Sequence, residues 1–267
     1  MRTLAELGSL EGRVAVITGG AGHIGKAMAA ALCQAGCQVC LVDRPGAHAT
    51  EVFAQLEAQY PGQVHGLTGD IESEPARAGL AAAVEQKYGR LDILINNAGF
   101  VGDSQLQGWV VPFEEQAVDT WRRALEVNLT APFHLAQLFT PLLRQSGHGS
   151  IINVGSIYGL LGPDMGLYEG TAMGNPAAYA GSKGGLLQLT RWLSTTLAPR
   201  VRVNSITPGG LARGQPSAFV EKYVARTPLA RMGSEEDFLG AAVFLASDLS
   251  AWITGQNIIV DGGWTAW

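Results

Sequence analysis

Short apolar, β-branched runs recur along this chain, each stopping at glycine, asparagine, serine or aspartate. Between them lie stretches with apolar residues at helical spacing. Arg13–Thr18 (RVAVIT), Gln38–Asp43 (QVCLVD), Val64–Asp70, Leu91–Gly99 (LDILINNAG), Ser150–Ser156 (SIINVGS), Arg202–Thr207 and Gln256–Val260 read as strands. Most show little polar alternation, as expected of strands buried on both faces of a parallel sheet. The first is followed by a helical pattern with Ile24, Met28 and Leu32 on one face, closing at Gly36. Ala47–Tyr60, Ser73–Tyr88, much of Glu114–Gln145 and the stretch through Tyr179 to about Leu197 read as further helices. Phe238–Ala246 is another, started by the capping box Ser234-Glu235-Glu236-Asp237. Strand and helix alternate from end to end, which predicts an α/β fold: a doubly wound parallel sheet of about seven strands with helices on both faces. No linker interrupts the pattern, so residues 1–267 read as a single domain. Two segments depart from it. Residues 159–176 are rich in Gly, Pro and polar residues and read as a loop; residues 209–231 carry glycines ahead of a short helical pattern and read as a lid.

Composition narrows the function classes. The chain is 47% hydrophobic and carries a net charge of −5, which argues against a nucleic-acid partner because phosphate binding needs a basic surface. No apolar run approaches the ~20 residues that span a bilayer. Met1–Gly12 lacks the apolar core of a secretion signal. A soluble, cytoplasmic protein with a small-molecule substrate is the expectation. Cys33, Cys37 and Cys40 lie close together, yet a fourth ligand is missing, so buried reduced thiols are expected rather than a metal site.

The chemistry starts at the first strand's end, where Gly19-Gly20-Ala21-Gly22-His23-Ile24-Gly25 opens a helix. Glycines there permit a tight turn and let backbone approach a pyrophosphate seated on the helix N-terminus. The second strand ends at Asp43, about 20 residues on, where an acid can accept both ribose hydroxyls and repel a 2′-phosphate. That favours NAD over NADP, with Arg44 next door as a contrary sign. Tyr179-Ala180-Gly181-Ser182-Lys183 sets a phenol and an amine on one helix face. A fixed cation beside a phenol of pKa ~10 is expected to draw that pKa down towards the working range. Such a pair also occurs on helix surfaces, so it gains meaning only with the rest.

Together these pieces resemble the short-chain dehydrogenase/reductase family along almost the whole chain. The matching stretches are Thr18–Gly25, Asn96-Asn97-Ala98-Gly99, Asn128, Ser156, Tyr179-x-x-x-Lys183, Arg202-Val203-Asn204, Pro208-Gly209, and Thr254-Gly255-Gln256 with Asp261-Gly262-Gly263. The resemblance implies catalytic roles for Asn128, Ser156, Tyr179 and Lys183. Tyr179 would be the acid-base group and Ser156 would orient the substrate oxygen. Lys183 would lower the tyrosine pKa and hold the nicotinamide ribose, and Asn128 would hold a water in a proton relay. It further implies that Gly19, Gly22, His23, Ile24, Gly25, Asp43, Asp70, Ile71, Asn97, Ala98, Gly99, Pro208 and Gly209 hold the cofactor, with Tyr179 and Lys183. Homotetramers are usual in the family, with long helices forming one contact and the C-terminal segment a second, where Trp252, Trp264 and Trp267 could serve.

Three departures mark this chain. His23 stands where many relatives have a glycine. Ser156 and Tyr179 are separated by a longer insert than usual, Pro163–Pro176. Gly210-Leu211-Ala212-Arg213 lacks a threonine that often meets the carboxamide. The last two departures lie where substrate is chosen, so Ser156, Tyr158, Tyr168 and Arg213 are the candidate substrate residues. Arg213 could receive a phosphate or carboxylate and could equally be a solvated arginine. A weaker resemblance to flagellin-modification oxidoreductases of surface-sugar pathways tilts the expected substrate towards a sugar or polyol derivative. The alternatives are a 3-oxoacyl-carrier-protein reductase and, in another class, a non-catalytic NAD-binding regulator.

Overall fold

The computed structural model describes residues 1–101 and 106–267. In chain order the elements are α1 (Leu4–Gly8), β1 (Val14–Thr18), α2 (His23–Gln34), β2 (Gln38–Asp43), α3 (Ala47–Gln59), β3 (Val64–Thr68), α4 (Glu74–Tyr88) and β4 (Ile93–Asn96). There follow α5 (Val118–Leu125), α6 (Ala131–Ser146), β5 (Gly149–Val154), α7 (Ala177–Leu197), β6 (Val201–Pro208), α8 (Ser217–Arg226), α9 (Leu239–Ala246) and β7 (Asn257–Val260). The seven strands form one sheet in the order β3-β2-β1-β4-β5-β6-β7, and every pairing is parallel. Strand order reverses between β1 and β4, and such a switch point opens a crevice at the carboxyl ends of the strands.

Every residue of β1, β4 and β5 is buried, because alternate side chains enter two different cores. Ala15 and Ile17 pack on one face with Met28 and Leu32 of α2, Phe53 of α3 and Leu245 of α9. Val14 and Val16 face the other way, onto Leu80 of α4, Leu135 and Phe139 of α6 and Leu193 of α7. A third cluster lies over the carboxyl end of the sheet and joins Ile157, Leu167 and Tyr168 to Phe219, Tyr223, Met232 and Trp264. The cysteines are free and buried, as expected, and burial raises all three thiols, Cys33 to about 11.

The strands expected at Leu91–Gly99 and Val64–Asp70 stop early. Beyond Asn96 the backbone is captured by a side chain: the Asn97 and Ala98 N–H groups both donate to Thr18 Oγ, at 3.1 and 3.2 Å. The helical stretch 114–145 is divided by a π-turn, Glu126–Thr130, between α5 and α6. Helix α1 was not expected; Thr3 and Glu6 close a capping box around it. The segment 159–176 is largely loop, with one helical turn at Met165–Tyr168.

One ion cluster ties the amino end of the sheet together. Buried Arg13 donates to Asp248 Oδ1 at 2.6 Å, and Arg2 and His148 approach the same carboxylate. Burial raises the Asp248 carboxyl, but hydrogen bonds from Arg2 and Arg13 and the Arg13 and His148 charges outweigh it, leaving a value of about 2. A carboxyl lowered in the folded state contributes stability above its unfolded value of 3.8, lost as pH falls towards 2. Asp248→Asn is therefore expected to cost about 3 kcal/mol at neutral pH, since it strands a buried arginine. Urea melts at pH 7 and pH 3 check it: the wild-type advantage shrinks at the lower pH, and an equal advantage at both would contradict the assignment.

Candidate active site

A cleft of about 900 Å³ runs along the carboxyl ends of β1, β2, β4, β5 and β6. Its two halves come from the two sides of the switch point.

The first half is built by the glycine turn. Gly19 has φ +65°, and a Cβ there would stand 2.8 Å from Ala98 Cα. A Cβ on Gly25 would meet the Gly19 carbonyl oxygen at 2.2 Å, so only glycine lets α2 approach the turn this closely. Gly25 is thus a packing residue, whereas Gly19, Gly22, His23 and Ile24 line the cleft. Among the described residues no side chain caps α2: its N-cap is Gly22, and the first N–H groups of the helix are left for an anion. Asp43 forms the rim beyond. Its Oδ2 accepts from Ala21 N at 2.9 Å and its Oδ1 from Arg44 N at 2.8 Å, which fixes the carboxylate with no cationic side-chain partner among the described residues. Asp70 and Ile71 close the far end. Asn97 laces the floor, donating from Nδ2 to the Thr18 and Gly19 carbonyls at 3.0 Å each. Asn97, Ala98, Gly99, Pro208 and Gly209 all line the cleft.

The second half holds the reactive side chains. Ser156, delivered by the end of β5, and Tyr179 and Lys183 of α7 face the same cavity. Lys183 is 3% exposed; its Nζ donates to the Val154 carbonyl at 2.8 Å and lies 6.0 Å from the centre of the Tyr179 ring. Burial lowers its amine to about 8. Tyr179 goes the opposite way from the sequence expectation. Burial raises its phenol, the Ser156 side chain only partly opposes that, and the lysine does not reverse it. The physical reason is that both groups are desolvated together, so the ammonium is itself costly and its nearest partner is a carbonyl.

Asn128 sits behind the wall rather than on it. It is fully buried in the π-turn, with Oδ1 accepting from Phe100 N at 2.6 Å and Nδ2 donating to Ser182 Oγ at 3.0 Å. A Cβ on Gly99 would lie 3.9 Å from both Asn128 Oδ1 and Lys183 Nζ, which places the amide and the amine around one point. The π-turn breaks the regular ladder there, a geometry often found at functional sites.

Two candidate substrate residues are placed elsewhere. Tyr158 and Tyr168 share a hydroxyl–hydroxyl hydrogen bond of 2.6 Å and pack in the aromatic cluster, outside the cleft lining. They pack the loop against α8, together with Arg226 to Asp164 at 2.6 Å and Lys222 to the Gly166 carbonyl at 2.8 Å. The Tyr223 hydroxyl accepts from Gly210 N at 2.6 Å, so loop and lid form one packed body. Arg213 does line the cleft, beside Leu211. Phe100, Val101, Leu106, Arg123 and Val127 also line it and were not foreseen. Phe100 and Val101 directly follow the strand-end glycine and Leu106 lies shortly beyond, whereas Arg123 and Val127 arrive from α5 and the π-turn.

A family model described as enoyl-(acyl carrier protein) reductase matches residues 19–265. Among curated relatives, the 3-oxoacyl-[acyl-carrier-protein] reductase of Thermotoga maritima is 34% identical over 261 residues, covering 95% of this chain and 98% of that protein. The 7alpha-hydroxysteroid dehydrogenase of Escherichia coli K12 is 33% identical over 260 residues, covering 95% and 94%. Post-translational flagellin modification protein A of Campylobacter coli is 30% identical over 260 residues, covering 96% and 99%. A short-chain dehydrogenase from Leptospira borgpetersenii with bound NAD+ superposes with a TM-score of 0.83 at 31% identity, covering 99% of this chain and 96% of that one. A gluconate 5-dehydrogenase from Burkholderia cenocepacia in complex with NADP and tartrate gives a TM-score of 0.86 at 28% identity, covering 99% and 100%.

Proposed function

This chain belongs to the short-chain dehydrogenase/reductase family of oxidoreductases, and we propose that it is an NAD(H)-preferring enzyme acting on a secondary alcohol or ketone. The carrying observation is one continuous cleft that joins an uncapped, glycine-lined helix start and the fixed Asp43 carboxylate to Ser156, Tyr179 and Lys183. Glycine at 19 and 25 lets the turn pack close against Ala98 and the start of α2, which leaves the Gly22 end of the helix open to the cleft, so the residues present fit a dinucleotide. When bound, the nicotinamide supplies the hydride chemistry. The chain supplies the rest. Ser156 Oγ orients the substrate oxygen and strengthens its hydrogen bond as charge develops there. Tyr179 gives or takes the proton at that oxygen; raised by burial, its phenol is held neutral and ready to donate. Lys183 holds a cation against the nicotinamide ribose and the phenol. Asn128 holds Phe100 and the π-turn in register, and in this reading its turn seats the relay water.

Asp43 supports NAD. Its relatives include one protein seen with NAD+ and another with NADP, so the preference rests on this carboxylate. Asp43→Ala is expected to shift the NADPH-to-NADH ratio of kcat/KM towards NADPH by about tenfold, by removing repulsion of the 2′-phosphate. An unchanged ratio in paired initial-rate assays would count against it.

For substrate, likeness to the flagellin-modification protein and to the gluconate dehydrogenase supports a sugar or polyol derivative. The apolar wall of Phe100, Val101, Leu106 and Leu211 supports the second reading, a 3-oxoacyl chain. A screen of NAD+ and NADP+ reduction over sugars, polyols and hydroxyacyl compounds separates them, and no turnover with any would favour a binding protein. Among the described residues no helix is long and apolar enough to cross a membrane. We place the protein in the cytoplasm as a homotetramer; exposed Trp121, Phe133 and Trp192 on α5, α6 and α7, and Ile259 and Trp267 at the carboxyl end, support two such contacts.

A further inference from the structure

Glu235 stands between the lid and the glycine turn. Its Oε1 lies 3.0 Å from Arg213 Nη1 and 3.3 Å from His23 Nδ1. Arg213 and His23 both line the cleft, at its lid and at the first turn of α2. One carboxylate oxygen therefore spans two nitrogen bases across the mouth of the half-cleft that fits a pyrophosphate. The lid arm is hung from the same place: Ala212 N donates to the Gly233 carbonyl at 3.0 Å and Gly233 N to the Gly210 carbonyl at 2.9 Å. Where Arg213 goes, the strand of lid behind it goes too.

Side-chain exposures of 69% for His23, 28% for Arg213 and 32% for Glu235 make these contacts weak and exchangeable. Pairs at such exposure contribute little, because water screens them and long side chains lose entropy in forming them. A pyrophosphate brings more negative charge and several more acceptor oxygens to the same spot than one carboxylate does. It would also sit on the uncapped N–H groups of α2, which Glu235 does not reach by any hydrogen bond of the structure.

We propose that Glu235 is a reversible clasp, exchanged for the cofactor's pyrophosphate, so that Arg213 is a cofactor-phosphate ligand rather than a substrate residue. With no dinucleotide, Glu235 holds the lid arm against the glycine turn. On binding, the phosphates displace the carboxylate, Arg213 and His23 turn to them, and the lid closes on the cofactor rather than on its own acid. This assignment rests on the dinucleotide reading above and deepens it. It also gives a purpose to residues at two departures from the family pattern, His23 in the turn and Arg213 in the stretch that lacks a threonine.

The test is fluorescence titration of NADH, with ADP-ribose measured by displacement, on wild type, Arg213→Ala, Arg213→Lys and Glu235→Gln. Arg213→Ala is expected to weaken NADH and ADP-ribose alike by about tenfold, Arg213→Lys by less, and Glu235→Gln to tighten both by about threefold. Amide exchange of residues 210–213 in the protein without cofactor should speed up in Glu235→Gln. A loss confined to NADH would place Arg213 at the nicotinamide or substrate and overturn the exchange, as would weaker binding by Glu235→Gln. Wild-type binding matched by a folded Arg213→Ala removes the clasp alone; a wild type that binds no NADH removes the cofactor reading and the clasp with it.

Discussion

Tyr179→Phe is expected to lower kcat by about a thousandfold or more while NADH affinity stays within about twofold. The ring can stay where it is: it packs beside Trp109, Ala124 and Ala178, contacts that phenylalanine keeps. What disappears is the hydroxyl, on which the Ser156 side chain is the one influence that opposes the upward pull of burial on its pKa. Ser156 cannot take over, because a serine hydroxyl is a far weaker acid than a phenol. Steady-state rates beside a cofactor titration check both halves. A tenfold loss or less would assign the proton to another group.

Lys183→Met should lower kcat about 10²- to 10³-fold and yet leave the protein as stable as before or more so. The lysine is buried in α7, its ammonium has a carbonyl for a partner, and among the described residues no carboxylate lies within ion-pair distance. Burial holds its amine near 8 against 10.5 for an exposed lysine. The sign follows from linkage. Between about pH 8 and 10.5 the unfolded chain binds the proton that the folded chain has released, so raising pH stabilises the fold through this window. Below pH 8 the full cost of the buried charge is present. Methionine, of similar shape, removes that cost and should flatten the stability profile across the window. Thermal melts from pH 7 to 10 on both proteins read it; a large loss of stability with an unaltered pH slope would show the amine to be a structural anchor instead. Stability gained as activity is lost is the signature of a group held against its own preference.

Much of this was legible in the chain because apolar runs and glycines act locally. The range Gln38–Asp43 emerges residue for residue as β2, since a strand buried on both faces leaves no ambiguity about where polarity resumes. The glycine turn, Asp43, Ser156 and the Tyr179–Lys183 pair fall on one cleft because each ends a strand or opens a helix at the same edge of the sheet. What stayed hidden depends on side chains arriving from far along the sequence. Tyr158 and Tyr168 follow the reactive serine, yet their hydroxyls pair with each other because Phe219, Tyr223 and Trp264 draw both rings into an aromatic cluster. The upward direction of the Tyr179 shift is hidden from the sequence for a related reason. Helical spacing announces the cation but not the desolvation that both groups share. Glu235 read as part of a helix cap, and the box is formed by Ser234 and Asp237, which leaves the Glu235 carboxylate free to reach His23 and Arg213.

The most direct measurement is a single turnover. Enzyme loaded with NADH is mixed with an accepted ketone, and the decay of nicotinamide fluorescence is followed in wild type and Tyr179→Phe. The account predicts rapid oxidation of the bound NADH in the first and an essentially persistent signal in the second, at equal starting amplitude. Equal decay in the two proteins would mean that hydride moves without the Tyr179 proton, and the chemistry assigned to this cleft would not stand.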